Sequence, residues 1–330
     1  MNMRVTDVLA GAEKFAIGQP VPRSEDPKLL RGEGIYTDDI KLSRQVYASM
    51  VRSQHAHGII EAIDTTAASG MPGVLGVFTG PDLVAAGYGT LVCNMVFPNA
   101  DGSPMKRPPR HALAVDRVRY LGEPVAFVVA ETAEAAQDAA EAVTLSLATL
   151  PPIVSMQQAL EAGAPALHED TPGNVALDWH YGDSKKVAEA FASAAHVTRL
   201  DLVNSRVVVN AMEPRSAIAE YSAKSGRFTL HVGSQGVFGL RNAIADEILK
   251  LPRDKVRVLT GNVGGSFGMK ASIYPEYVCL LHAARVLGRP VKWTDRRSES
   301  FVSDHHGRDH SVVAELALDG KGKFLAIRVT

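Results

Sequence analysis

The sequence predicts an α+β fold, and three patterns carry that prediction. Short runs alternate apolar and charged residues, as in residues 255–259 (KVRVL), which is the period of a strand with one buried face. Residues 125–130 (VAFVVA) are apolar throughout, as a strand covered on both faces should be. Amphipathic stretches lie between such runs: residues 275–290 repeat Tyr277, Val278, Leu281, Ala284 and Leu287 at helical spacing.

Taken in order, residues 1–20 read as an N-terminal arm and 21–150 as a first domain. That domain has strands at 46–53 and 73–80, the buried strand at 125–130, and an alanine-rich helix (TAEAAQDAAEAV) with Glu134 in its first turn. Residues 88–110, rich in Pro, Gly and Asn, are a surface loop. Proline and glycine punctuate a linker at 151–175, and a second unit follows at 176–330. Its strands are HVTRLDLV, AIAEYSA and RFTLHVGS, and its first helix, Gly239 to Leu249, carries Leu240, Ile244 and Ile248 on one stripe. Pro275 fits the first turn of the next helix, and Gly288 with Pro290 stops it. The last twenty residues read as a hairpin turning at Asp319 to Gly322, whose free edge implies that the second unit is incomplete.

Composition removes several function classes. A formal net charge of -1 gives no electrostatic gain on nucleic acid or on an anionic membrane, and no apolar run is long enough to span a bilayer. The N-terminal segment carries acidic residues and lacks the apolar core of a signal peptide, so the expected location is cytoplasmic. Cys93 and Cys279 are too far apart for a CxxC motif, cannot hold an iron-sulfur cluster alone, and are expected to be buried free thiols.

Two features carry candidate chemistry. Residues 261–270 (GNVGGSFGMK) sit between a strand and a helix, where phosphate loops occur. Met269 separates Gly268 from the lysine, Ala271 follows, and GxGxxG is absent, so neither nucleotide pattern applies. A tight turn is one reading; Phe267 between glycines points to the other, a backbone that approaches a ligand while the ring packs beside it. Gln235 (HVGSQG) precedes a helix, where a buried amide either ends a turn or donates to an oxo group; it is expected to face one concavity with Phe267. Glu213 (MEPR) is an acid-base candidate or a hydrogen-bonded structural carboxylate, and Asp38 and Asp39 are turn residues. His305, His306 and His310 (DHHGRDH) lack HExxH and are read as structural.

Nearly end to end, the chain resembles the large subunits of molybdenum hydroxylases of the xanthine dehydrogenase, aldehyde oxidase and aerobic carbon monoxide dehydrogenase type. The likeness runs through IGQPVPRSEDPKLLRGEGIYTDDI, VRSQHAHGIIEAID, MPGVLGVFTGPDL, YLGEPVAFVVA, NAMEPRSAIAEYSAKSGRFTLHVGSQ and GGSFGMK. It implies an α/β hammerhead-like domain at 21–150 and the first part of a molybdopterin-binding domain at 176–330. It further implies a molybdenum-molybdopterin cofactor in its cytosine dinucleotide form, with Gln235 bonded to an oxo ligand of the metal. The loop residues Gly264, Gly265, Ser266, Phe267 and Gly268 would lie against cofactor, with Phe267 near the metal through its backbone. The implied reaction is hydroxylation of an aldehyde, N-heterocycle or similar small substrate with water as oxygen source. Electrons would pass to Fe-S and FAD subunits, and the rest of the large subunit, including the family's glutamate base, would be a further partner. The chain alone is then expected to be inactive; the other reading is a split or truncated subunit acting in assembly. Two departures stand out: Ser266 replaces the family's third loop glycine, and Ala271 stands where xanthine dehydrogenases carry a glutamate, nearer the carbon monoxide dehydrogenase branch.

Overall fold

The structure, a computed structural model, describes residues 21–91, 93 and 95–330, so the expected N-terminal arm lies outside the described residues. The architecture is α+β. In chain order the strands are β1 (Val46–Arg52), β2 (Gly58–Asp64), β3 (Val74–Thr79), β4 (Arg117–Val118), β5 (Pro124–Ala130), β6 (Thr144–Thr149), β7 (His196–Asn204), β8 (Ser216–Ser222), β9 (Arg227–Val232), β10 (Val256–Leu259), β11 (Val291–Thr294), β12 (His310–Leu318) and β13 (Phe324–Val329).

A seven-stranded sheet, ordered β10-β9-β8-β11-β1-β5-β3, forms the centre. Strands from both sides of the 151–175 segment share it, because β1 pairs in parallel with β11. Every residue of β5 is buried, as its unbroken apolar run requires. The remaining strands form two three-stranded sheets, β4-β2-β6 and β13-β12-β7. The helix Pro275–Leu287 buries its first ten residues against the main sheet, starts with Pro275 in its first turn and ends at Gly288 with φ 61°. The helix expected at Gly239 begins two residues earlier: it runs from Val237 to Ala243 and widens into a π-helical turn over Ile244–Leu249. Apolar residues at 240, 244 and 248 fit either pitch, and the wider turn buries Ala245 and Leu249 as well. Among the described residues no helix is long and apolar enough to cross a membrane.

Cys93 corrects the expectation of two buried thiols. It is exposed while Cys279 is buried, because Cys93 lies in the loop between β3 and β4 and not in an element that packs.

Behind the long helix lies a buried ionic cluster. Arg215, fully buried, donates to Glu276 from both terminal nitrogens (2.9 and 3.2 Å) and to Asp304 from Nε (2.5 Å). Arg52 donates to Glu276 (2.6 Å) and Glu299 (2.5 Å). Burial alone would raise the Glu276 value; Arg215 and Arg52 overcome it and hold the carboxyl at about 2. Asp295 sits 3.6 Å from Arg215 and accepts from Ser300 and Ser303 through the same oxygen, while its other oxygen has no partner. Burial, opposed by Arg215 and reinforced by Glu299 and Glu276, pushes Asp295 up to about 7.

A raised native value means that the folded chain holds a proton the unfolded chain has already released. The Asp295 contribution is therefore complete below the ordinary value of 3.8 and is lost as pH rises through about 7. Asp295→Asn should flatten the decline of stability across that window. Urea unfolding at pH 4, 5.5 and 7.5 checks this, and parallel pH profiles for the two proteins would contradict it.

Candidate functional site

Strands β9 and β10 are parallel neighbours, in register from Phe228 opposite Val256 to His231 opposite Leu259. Their C-terminal ends therefore leave the sheet side by side, which brings residues more than thirty positions apart onto one edge. The chain leaving β9 carries Gln235; the chain leaving β10 carries the glycine loop. Ser234 N donates to Thr260 Oγ1 (3.3 Å) and Gln235 N to Lys270 O (3.2 Å), which ties the two exits together.

Within the loop, backbone conformation accounts for the composition. Gly265 and Gly268 lie at φ +101° and +98°, where L side chains are strained, and Gly264 has no room for one. A Cβ on Gly264 would fall 2.5 Å from Glu213 Cβ. Phe267 itself sits at φ 50°, an uncommon conformation for a bulky residue. Phe267 is 80% exposed, so the packing expected of its ring is largely not made; a Cβ on Gly265 would stand 3.0 Å from that ring.

Beneath the loop, Lys270 and Glu213 form its anchor. The lysine side chain is almost fully buried and its Nζ donates to Glu213 Oε2 (2.7 Å) and to the Glu213 carbonyl (3.0 Å). Glu213 Oε2 also accepts from Gly264 N (2.7 Å), and Glu213 N donates to Gly264 O (3.0 Å). Glu213 is thus committed to holding the loop, the structural reading of that carboxylate. Local sequence does not pair Lys270 with Glu213, because the two lie 57 positions apart and meet only through the fold.

Gln235 is exposed, a correction to the buried amide expected from sequence, since it lies on the turn before the helix N-cap Gly236, outside the sheet. Its Oε1 accepts from Ser266 Oγ (2.6 Å), one residue from Phe267. Gln235 and the loop are therefore brought together, but on open surface. A cavity of about 980 Å3 elsewhere is lined by Arg110, Arg119, Glu123, Asp304 and His305 and by none of these residues. Met212, Phe238 and Phe267, one from each of the three segments that carry Glu213, Gln235 and the glycine loop, are exposed.

The histidine cluster is elsewhere. His305 stacks on Tyr274 with ring centroids 4.4 Å apart, and burial, with Arg110 and Arg215 nearby, pushes it down to about 4. His306 Nε2 lies 3.0 Å from the Phe301 carbonyl, while His310 opens β12. Asp38 accepts from Thr294 Oγ1 (2.6 Å) and pairs with Lys292 (3.0 Å), and with Asp39 it belongs to a single 3-10 turn.

Gly264→Ala should cost about 1–3 kcal/mol of stability, because the added methyl must push Glu213 away and break its bond to the loop. Urea unfolding measures this, and a loss below about 0.5 kcal/mol would contradict the packing account.

Known proteins match this architecture closely. Residues 31–151 match the aldehyde oxidase and xanthine dehydrogenase a/b hammerhead domain, and residues 167–330 the molybdopterin cofactor-binding domain. The nicotine 6-hydroxylase large subunit of Paenarthrobacter nicotinovorans is 35% identical, with the match covering 94% of this chain and 37% of that protein. The carbon monoxide dehydrogenase large chain of Hydrogenophaga pseudoflava is 33% identical over 100% of this chain and 41% of its own length. Quinoline 2-oxidoreductase from Pseudomonas putida 86 superposes with a TM-score of 0.86 at 32% identity, covering 96% of this chain and 39% of that one. The chain thus spans 37–41% of the length of these relatives.

Proposed function

Because the chain belongs to the molybdenum hydroxylase large subunits, we propose that it forms part of the molybdopterin site of such an enzyme. Gln235 and the 264–268 loop would carry the contacts. The carrying observation is the juncture of β9 and β10, which sets a fixed amide beside a strained glycine-phenylalanine backbone. The same proposal includes a division into a hammerhead unit at 21–150, a linker at 151–175 and a first part of the molybdopterin-binding domain at 176–330; family matches at 31–151 and 167–330 support two units, the second match beginning within that linker.

The residues present fit the cofactor. The space beside Gly268 is open, with nothing within 4 Å of where a Cβ would stand, so a ligand could lie directly on that backbone. With Gln235 Oε1 occupied by Ser266, the amide offers its Nε2 hydrogens, a donor suited to an oxo or other anionic oxygen. When bound, molybdenum-molybdopterin supplies the oxidising centre for hydroxylation of a carbon, with water as the oxygen source. This chain's share would be binding and orientation: Gln235 Nε2 would donate to an anionic oxygen of the cofactor, and the Phe267-Gly268 backbone would hold it. Glu213 and Lys270 keep the loop in shape.

The substrate in this reading is a small aldehyde or N-heterocycle, and the names of the nicotine- and quinoline-oxidising relatives weigh toward the heterocycle. Electrons would leave to Fe-S and FAD subunits, since one exposed and one buried cysteine give this chain no cluster site of its own. An exposed free thiol also suits the reducing cytoplasm. The cytosine dinucleotide form of the cofactor belongs to the same proposal.

In the assembled enzyme, Gln235→Ala should keep its molybdenum and lose turnover about a hundredfold, as expected for deleting one preorganised donor. Metal analysis and steady-state assay with aldehydes and N-heterocycles test this. Unchanged turnover at full metal occupancy would overturn the role of Gln235.

A further inference from the structure

Ser266 enters the motif as a departure, a side chain in a run of glycines. The structure gives it a task. Its hydroxyl is 2.9 Å from Lys270 N, which can only donate, so the hydroxyl accepts there. Its single proton is then available for Gln235 Oε1, 2.6 Å away. Ser266 is buried, with 8% of its surface exposed, so it is sheltered from competing water, whereas Gln235 is exposed.

The consequence falls on the glutamine. The terminal torsion of a glutamine is soft and roughly two-fold, so an exposed amide ordinarily presents oxygen and nitrogen in turn. Among the described residues Ser266 is the one side chain bonded to the Gln235 amide. With the oxygen held, the nitrogen faces away from the serine. The site then offers a donor and not an acceptor, and an anionic oxygen meets hydrogens without first turning the amide.

We propose that Ser266 is a positioning residue that fixes the orientation of the Gln235 amide, so that Nε2 is presented to the ligand. The inference rests on the reading of Gln235 as a contact to an oxygen on the metal, but the hydrogen bond it invokes exists in the chain alone. A glycine or alanine at 266 would leave the amide free to turn; threonine keeps the hydroxyl.

The test has two arms. In the chain, 15N-1H correlation spectra follow the side-chain amide of Gln235, assigned by its loss in Gln235→Ala. The wild type and Ser266→Thr should show a shifted pair whose 15N relaxation reports a rigid side-chain amide, because the bond to Oε1 holds the terminal torsion. In Ser266→Ala the pair should move to the position of free glutamines and its 15N order parameter should fall into the flexible range, below about 0.6. Backbone amides outside 234–236 and 264–271 should hold their positions, which separates a freed side chain from a disordered loop. An unmoved Gln235 pair in Ser266→Ala overturns the proposal, as does collapse of the loop amides in that variant with the Gln235 pair already free in wild type. In the molybdenum-loaded enzyme, Ser266→Ala should lower kcat about tenfold at unchanged KM and metal content, with Ser266→Thr restoring it. Full kcat in Ser266→Ala with a freed amide also overturns it. If Gln235→Ala itself keeps full turnover while the amide behaves as predicted, the cofactor reading fails and the hydrogen bond stands.

Discussion

The guanidinium of Arg215 and the carboxylate of Glu276 form the contact on which most of this structure depends. Arg215 lies just before β8, Glu276 in the first turn of the long central helix, and both are withdrawn from water. Glu276 is also the acceptor for Arg52 at the end of β1, so one carboxylate joins strands from the two halves of the chain to the helix that backs them. The Tyr274 ring lies 3.8 Å from the guanidinium carbon, and Asp304 takes the remaining Nε. Such a cluster adds little net stability over an apolar equivalent, but removing one partner strands a buried charge at about 3–5 kcal/mol. Arginine suits the position because it stays charged and its planar fork meets a carboxylate through two donors.

That cluster reaches the site through one side chain. Tyr274, stacked on Arg215, donates its hydroxyl proton to the carbonyl of Met269 (3.0 Å), inside the glycine motif. The loop is therefore held at its exit by the buried cluster, at its base by Lys270 and Glu213, and at its crest by Ser266 and Gln235. Parallel pairing of β9 with β10 does the rest, because only parallel neighbours deliver two successive strand ends to one edge. Phe267 at positive φ stores strain at the crest, and these anchors keep it there.

Much of this was legible in the sequence, for local reasons. The buried β5 announces itself by an unbroken apolar run, and Pro275 and Gly288 mark the ends of their helix because their backbone preferences are intrinsic. The glycine loop and Gln235 could be singled out, and their proximity follows once β9 and β10 are recognised as a strand-helix-strand unit. Other features depend on residues far apart in the chain. Pairing of β1 with β11 spans almost the whole chain, and nothing in VYASMVR or VKWT selects the other. The exposure of Gln235 and Cys93 depends on which side of a turn faces the core, which local pattern does not encode. Ser266 looked like a flaw in a motif because its value lies in a partner 31 positions away.

The central claim is that the edge formed by Gln235 and the 264–268 loop receives molybdopterin. A crystal structure of the assembled, cofactor-loaded enzyme tests it most directly. The account predicts the Gln235 Nε2 within hydrogen-bond distance of an oxygen on the metal, and the Phe267-Gly268 backbone in contact with the cofactor. A cofactor bound elsewhere, for instance in the cavity beside Arg110 and Asp304, or a Gln235 amide turned away from the metal, would contradict it.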